Sequence, residues 1–197
     1  IKMKSKINLY EIIQKHFSTL KSVNGNFIKK DKKIFFKYPI FIGLILLILI
    51  KSPNEKLINI FTLSLSVFIG LFLNLLVLII SFAENKLKII DNKNRTELLK
   101  QTFYNITYTI VISLIGLGLL FVANISIFPN KWYVNLSFLD NEYFCLPKVY
   151  ANRIFELFFY FAFYIVFTHI ITTLLMIIKR IYKLFNVEID NINSAEK

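Results

Sequence analysis

From Leu57 to Phe82 the chain runs twenty-six residues without a charge. As a helix rising about 1.5 Å per residue, such a stretch reaches roughly 39 Å, enough to cross a ~30 Å hydrocarbon layer with tilt or overhang. Three further apolar stretches repeat the pattern, at 34–50, 103–127 and 154–178. The first is the shortest, and it reaches crossing length only if Lys37 snorkels to the head groups. Tyr38 and Pro39 then stand at its entry, where an amphipathic ring and a first-turn proline fit. The turn Lys51-Ser-Pro-Asn-Glu-Lys56 returns the second span antiparallel beside the first. A charged stretch separates the second and third spans, with Asp91-Asn92-Lys93-Asn94 as a turn and Asn94 with Glu97 as a capping box. The expected fold is an all-α integral membrane protein: a four-transmembrane-helix bundle over 34–178, with a tail at 179–197.

Ahead of the bundle, residues 1–38 form a basic amphipathic segment. Leu9, Ile13, Phe17 and Leu20 recur at helical spacing within Lys6–Val23, with Ile12 beside them, and Asn24-Gly25-Asn26 ends the helix. Such a helix either lies on the membrane surface, binds a partner, or packs on its own protein. The segment 128–153 is the one long connection between spans. Partial alternation over Tyr133–Phe138, a turn at Asp140-Asn141 and a return over Glu142–Leu146 predict a small extracytoplasmic loop or hairpin. Its Trp132, Tyr133, Tyr143 and Phe144 suit an interfacial belt.

Composition agrees with the pattern and adds an orientation. The chain of 197 residues is 56% apolar, with a net charge of +12 and a mean hydropathy of +0.59. In a soluble protein that charge would suggest nucleic acid; between spans it sets topology, and no direct nucleic-acid binding is expected. Lys and Arg number ten in 1–38, two in 51–56, five in 83–102, three in 128–153 and four in 179–197. Nineteen of the 24 thus fall on one side, so the positive-inside rule puts both termini in the cytoplasm. No removable signal peptide is expected. Cys145, the single cysteine, leaves only an intermolecular disulfide possible.

The polar residues inside the spans form two stripes. Thr62, Ser66, Gly70 and Asn74 recur every four residues in the second span; Asn105, Thr109, Ser113 and Gly116 recur at four, four and three in the third. On helices each set gathers on one face and permits close approach. The two are expected to face each other as a packing seam, with an oligomer interface or a pore lining as the other readings. His169, with Thr172 near it, is the intramembrane polar candidate. Its one acid on a span, Glu156, is thirteen residues away, nearly 20 Å along a helix and too far for a pair. A neutral His169 bonded to Asn74 or a threonine of another helix is the simpler expectation. His16 reads as a surface or interfacial residue.

No nucleotide loop, zinc spacing or serine elbow occurs, so no enzyme activity, catalytic residue, metal or cofactor is expected. Lys29, Lys30, Lys32 and Lys33 form a patch for anionic lipid or a protein partner. A sensor or scaffold, a pore-forming effector and an intramembrane enzyme or transporter remain as function classes, the first using the uneven charge best. Four spans, both ends inside, a lysine-rich face and an Asn/Ile/Lys-rich composition together resemble the KwaA family, the membrane subunit of the bacterial Kiwa antiphage defence system. That resemblance is one of layout and carries no matched motif. It implies a homo-oligomer, a tetramer, in the bacterial inner membrane, sensing phage attachment and engaging a cytoplasmic DNA-binding partner of the KwaB type.

Overall fold

The computed structural model describes residues 8–20, 31, 33–50, 53–86, 93–125, 133–134 and 149–195. They form α1 (Leu9–Ser18), a π-helical turn (Lys33–Lys37) running into α2 (Tyr38–Ile50), α3 (Glu55–Lys86), α4 (Lys93–Ala123), strands β1 (Tyr133–Val134) and β2 (Val149–Tyr150), and α5 (Ala151–Ala195). Four helical segments are long and apolar enough to cross a membrane: Lys33–Ile50, Glu55–Ala83, Arg95–Ala123 and Arg153–Val187. The chain is an all-α, multi-pass membrane bundle. Large apolar residues such as Phe41, Leu49, Leu63, Leu71, Phe121 and Phe158 are exposed on its outside, as a lipid-facing surface requires.

The helices overrun the expected spans for local reasons. Asn54 starts α3 by accepting the Leu57 N–H on its side chain at 2.9 Å. α4 begins at Lys93, so Lys93 and Asn94 are already helical; Asp91 and Asn92, the rest of the expected turn, lie outside the described residues. It ends at Ala123, four residues before Ile127, where Asn124 turns its amide back onto the Leu120 carbonyl at 2.7 Å. The same Asn124 accepts from the Tyr160 hydroxyl of α5 at 3.3 Å.

α5 is the hub: it packs along α4 and along α2, while α3 packs along α4. This corrects one expectation. The Lys51–Lys56 turn does not lay α3 against α2; α2 takes its neighbour from the far end of the chain. Gly43 explains why, because a Cβ there would lie 2.8 Å from Ile165 Cγ1 and 3.2 Å from the Ile165 backbone nitrogen, so only glycine lets α2 and α5 approach this closely. Leu65, Leu120, Phe163, Tyr164 and Ile170 make one core cluster, and Phe72, Ile79, Leu99, Ile106 and Ile177 a second.

The seam between the two polar stripes is the second correction. Asn105, Thr109, Ser113 and Gly116 are buried on α4, but Thr62, Ser66, Gly70 and Asn74 all face outward on α3. α3 turns Leu65, Phe72 and Ile79, spaced by seven, to its partner instead. Bulky chains fill the gap against α4 that small ones would leave empty, and dispersion contacts decide the face of a helix that is apolar all round. The hydroxyls of Thr102, Thr107 and Thr109 bond carbonyls of their own helix four residues back, as does Ser66 to Thr62.

Tyr133 pairs with Tyr150 and Val134 with Val149, antiparallel, so a described strand leads directly into α5. The expected turn at Asp140-Asn141 and return over Glu142–Leu146 lie outside the described residues. Trp132, Tyr143, Phe144 and Cys145 lie outside the described residues.

Gly43→Ala should lower stability by about 1–3 kcal/mol through overpacking against Ile165. Gly118→Ala, with nothing within 4 Å of the added methyl, should be neutral or slightly stabilising. Thermal unfolding of the two variants in detergent separates them, and equal midpoints would show that the α2–α5 approach is not tight.

Candidate functional site

The chain has two histidines, and both enter one buried cluster. It is built from α1, the π-turn, α4 and α5. His16 lies on α1, whose start is capped by Asn8 accepting the Glu11 N–H at 3.2 Å. Its imidazole is fully buried, its Nδ1 2.9 Å from Asn105 Oδ1 of α4. The ring stacks on Tyr108 at 3.7 Å between centroids, tilted by only 4°. The Tyr108 hydroxyl reaches His169 Nε2 at 2.9 Å, and His169 Nδ1 reaches the Phe35 carbonyl at 3.1 Å.

The hydrogen-bond roles follow from what each group can do. A carbonyl oxygen only accepts, so His169 Nδ1 carries the proton and its Nε2 accepts from the Tyr108 hydroxyl in the neutral ring. By the same argument His16 Nδ1 donates to Asn105 Oδ1. The Phe35 carbonyl is open to His169 because its α-helical donor would be the N–H of residue 39, and residue 39 is Pro. The π-turn over Lys33–Lys37 thus has a chemical cause and a use.

More contacts hold α1 in place. Thr19, its C-cap, bonds the His16 carbonyl at 2.7 Å and lies 3.1 Å from Asn105 Oδ1. Arg180 Nη2 donates to the Thr19 carbonyl at 3.1 Å, a cation at the negative end of a helix. Phe17 stacks on Phe36 at 5.4 Å, Lys15 sits 5.7 Å over the Tyr104 ring, and Leu20 is buried. Of the alternatives left open for the amphipathic segment, the helix packs on its own protein. His16 is corrected from a surface residue to a fully buried one, and His169 finds Tyr108 and a backbone carbonyl rather than Asn74.

Sequence reasoning missed Tyr108, Phe35 and Arg180 as members, yet one signal was available. His16 lies three residues after Ile13 and four before Leu20, on the face already marked as apolar. A histidine at such a position next to a bundle that carries an Asn and a Tyr is a buried polar partner. Thr172 and Thr173 both bond the His169 carbonyl, supporting the turn that carries it. Glu156 stays at the start of α5, paired with Arg153 at 3.2 Å, a partly exposed ion pair of small worth. Of the basic patch, Lys33 is exposed in the π-turn, while Lys29, Lys30 and Lys32 lie outside the described residues. No known protein family, curated protein or solved structure matches the chain.

This arrangement fastens. Two imidazoles, a phenol, an amide and a freed carbonyl tie α1 and the entry of α2 to α4 and α5. It also carries a pH response. Burial pushes the His16 imidazole down to about 3, the bond to Asn105 opposing and the nearby His169 and Arg180 adding to the fall. A group depressed in the docked state stabilises docking above its free value near 6.5 and loses that contribution as pH falls toward 3. The groups facing it are Asn105 and Tyr108 from α4, His169 and Arg180 from α5 and Phe35 from the π-turn, and none supplies a carboxylate.

Between pH 7.5 and 5.0 the wild type should therefore lose about 2 kcal/mol that His16→Phe does not lose, the variant keeping the ring on Tyr108 without the titration. Denaturation in detergent at the two pH values, for both proteins, measures the difference. Identical pH dependence would show that His16 is not held neutral by this pocket.

Proposed function

We propose that this protein is a non-catalytic sensor or scaffold subunit that self-associates in the membrane and holds a soluble partner on its basic face. The observation that carries the reading is the outward set Thr62, Ser66, Gly70 and Asn74 on α3. A ridge of small and amide-bearing residues gains little from lipid, whereas a second copy could approach it closely and satisfy the amide. Gly70 has open space for at least 4 Å around the position a Cβ would take, so nothing within the chain uses its smallness.

The layout shared with the KwaA family gives the reading its setting: a bacterial inner membrane with both termini cytoplasmic, antiphage defence as the process, a tetramer as the assembly, and a KwaB-like DNA-binding effector as the partner. The tethering of α1 supports the partner half of the proposal. Arg180 holds Thr19 and His169 holds Phe35, so the stretch carrying Lys21, Lys29, Lys30, Lys32 and Lys33 is pinned at both ends to one helix. Residues 169 and 180 are eleven apart, three helical turns, and share a face of α5.

A pore-forming effector is the second reading, favoured by the same outward stripe, since it would line a ring of subunits. The two apolar cores fill the bundle among the described residues, so any aqueous path would run between copies rather than through one.

Gly70→Leu should convert the oligomer to smaller species on native mass spectrometry while leaving insertion intact; an unaltered oligomer removes α3 as the interface. Replacing Lys29, Lys30, Lys32 and Lys33 with Gln should reduce recovery of the soluble partner encoded beside this chain by roughly tenfold or more, a few charges at about 1 kcal/mol each. Unchanged recovery together with ion flux from loaded liposomes would favour the pore.

A further inference from the structure

Between the two pins on α5 lies a cavity of about 470 Å³, closed by the end of α1 on one side and by the π-turn on another. Its lining divides by chemistry. Lys179, Arg180 and Lys183 of α5 bring three cations, and Asp31 is the one carboxylate among the described lining residues. Leu175 and Met176, one turn back along α5, make an apolar floor, and beside them Leu175, Ile171 and Ile178 are exposed on the lipid-facing side. Arg180 spends Nη2 on Thr19, but its Nη1 is buried with no hydrogen-bond partner. The Asp31 and Glu97 carboxylates lie near enough to act on Arg180 through space, but a guanidinium nitrogen removed from water without an acceptor is costly, so Nη1 still wants a hydrogen-bonding oxygen.

The geometry points to a binding site for an anionic phospholipid, its phosphate held by Arg180, Lys179 and Lys183 and its acyl chains laid along Leu175 and the exposed flank of α5. Phosphate geometry suits the planar fork of Arg180 with lysines as flanking point charges. The order of the lining along α5, apolar and then cationic, runs in the sense of an amphiphile entering from the hydrocarbon with its head toward the aqueous end of the helix. The site uses none of the lysines of the Lys29–Lys33 patch among its described lining residues and lies apart from the α3 stripe, and it stands whether or not the scaffold reading does. Occupied, it would complete the Arg180 fork that holds α1, so lipid composition would act on the docking of the basic segment.

The test uses the full chain in detergent, titrated with phosphatidylglycerol and in parallel with phosphatidylcholine, with bound lipid counted by native mass spectrometry. One phosphatidylglycerol per chain should be retained under conditions that strip phosphatidylcholine. Lys179→Gln with Lys183→Gln, which leaves the Arg180 bond to Thr19 in place, should weaken that retention on the order of thirtyfold, the loss expected for two lysines near a membrane surface. Lys56→Gln, at the far end of α3, should leave it unchanged. Equal retention of the two lipids, or an equal loss in Lys56→Gln, overturns the site. Complete displacement of phosphatidylglycerol by millimolar inorganic phosphate would overturn the lipid in favour of a free-phosphate site.

Discussion

A membrane offers no water to a buried polar group, so a partner inside the bundle has to come from the chain itself, and the His169 imidazole answers two such groups at once. Its imidazole links the carbonyl that Pro39 leaves without a helical donor to the hydroxyl of Tyr108, and Tyr108 in turn supplies the face on which His16 stacks. The order of assembly follows from that dependence. α2 cannot settle on α5 without the Gly43 approach and the Phe35 bond, and α1 has no socket until α4 and α5 have brought Asn105, Tyr108 and Arg180 together. Contacts 89, 134 and 161 residues apart in sequence therefore depend on the bundle having brought these helices together.

The two polar stripes began as equivalent and end with opposite roles. That on α4 is consumed inside the protomer: Asn105 by α1, and Gly116 by Val166, Leu65 and Phe163, whose atoms stand 3.3 to 4.0 Å from where a Cβ would be. Its Thr109 hydroxyl returns to its own helix while Ser113 Oγ is buried without a hydrogen-bond partner, so the packing there is steric and the cross-helix contacts of the Asn105 amide are made to α1. That on α3 meets nothing in the chain. Spacing alone could not separate the two, because periodicity states that residues share a face and is silent on what the face meets.

The four spans, the hydrophobic exterior and the presence of an N-terminal amphipathic helix were legible because each rests on local composition and on a period that a helix imposes. Partner choice was not. The turn after Ile50 suggested that α2 and α3 pack as neighbours, yet Gly43 fits Ile165 better than anything on α3 does, and tertiary fit outweighs chain proximity. His16 was misplaced because polarity was taken to mean exposure. The face it shares with Ile13 and Leu20 was readable, but its partner Asn105 lies 89 residues away and only the fold brings the two to 2.9 Å. Pro39 was read as a helix start; that it also frees a carbonyl for a side chain 134 residues on is a consequence of the same missing N–H.

What the pinning of α1 does for the molecule can be argued from charge alone. Ten of the 24 Lys and Arg lie in the first 38 residues, and left loose they would repel one another and sample a wide volume above the membrane. Thr19 and Phe35 are fixed to a single face of α5, and the fastening groups are a histidine, a carbonyl and an arginine that bonds backbone. That fastening holds the two residues that bracket the basic stretch. It is also conditional, because the fastening depends on His16 remaining uncharged where, among the described residues, His169 and Arg180 are the charged or titratable groups that act on it. Acidification would therefore loosen the α1 end of the same segment through His16, and the segment would be regulated by the groups that hold it rather than by change in its own charge.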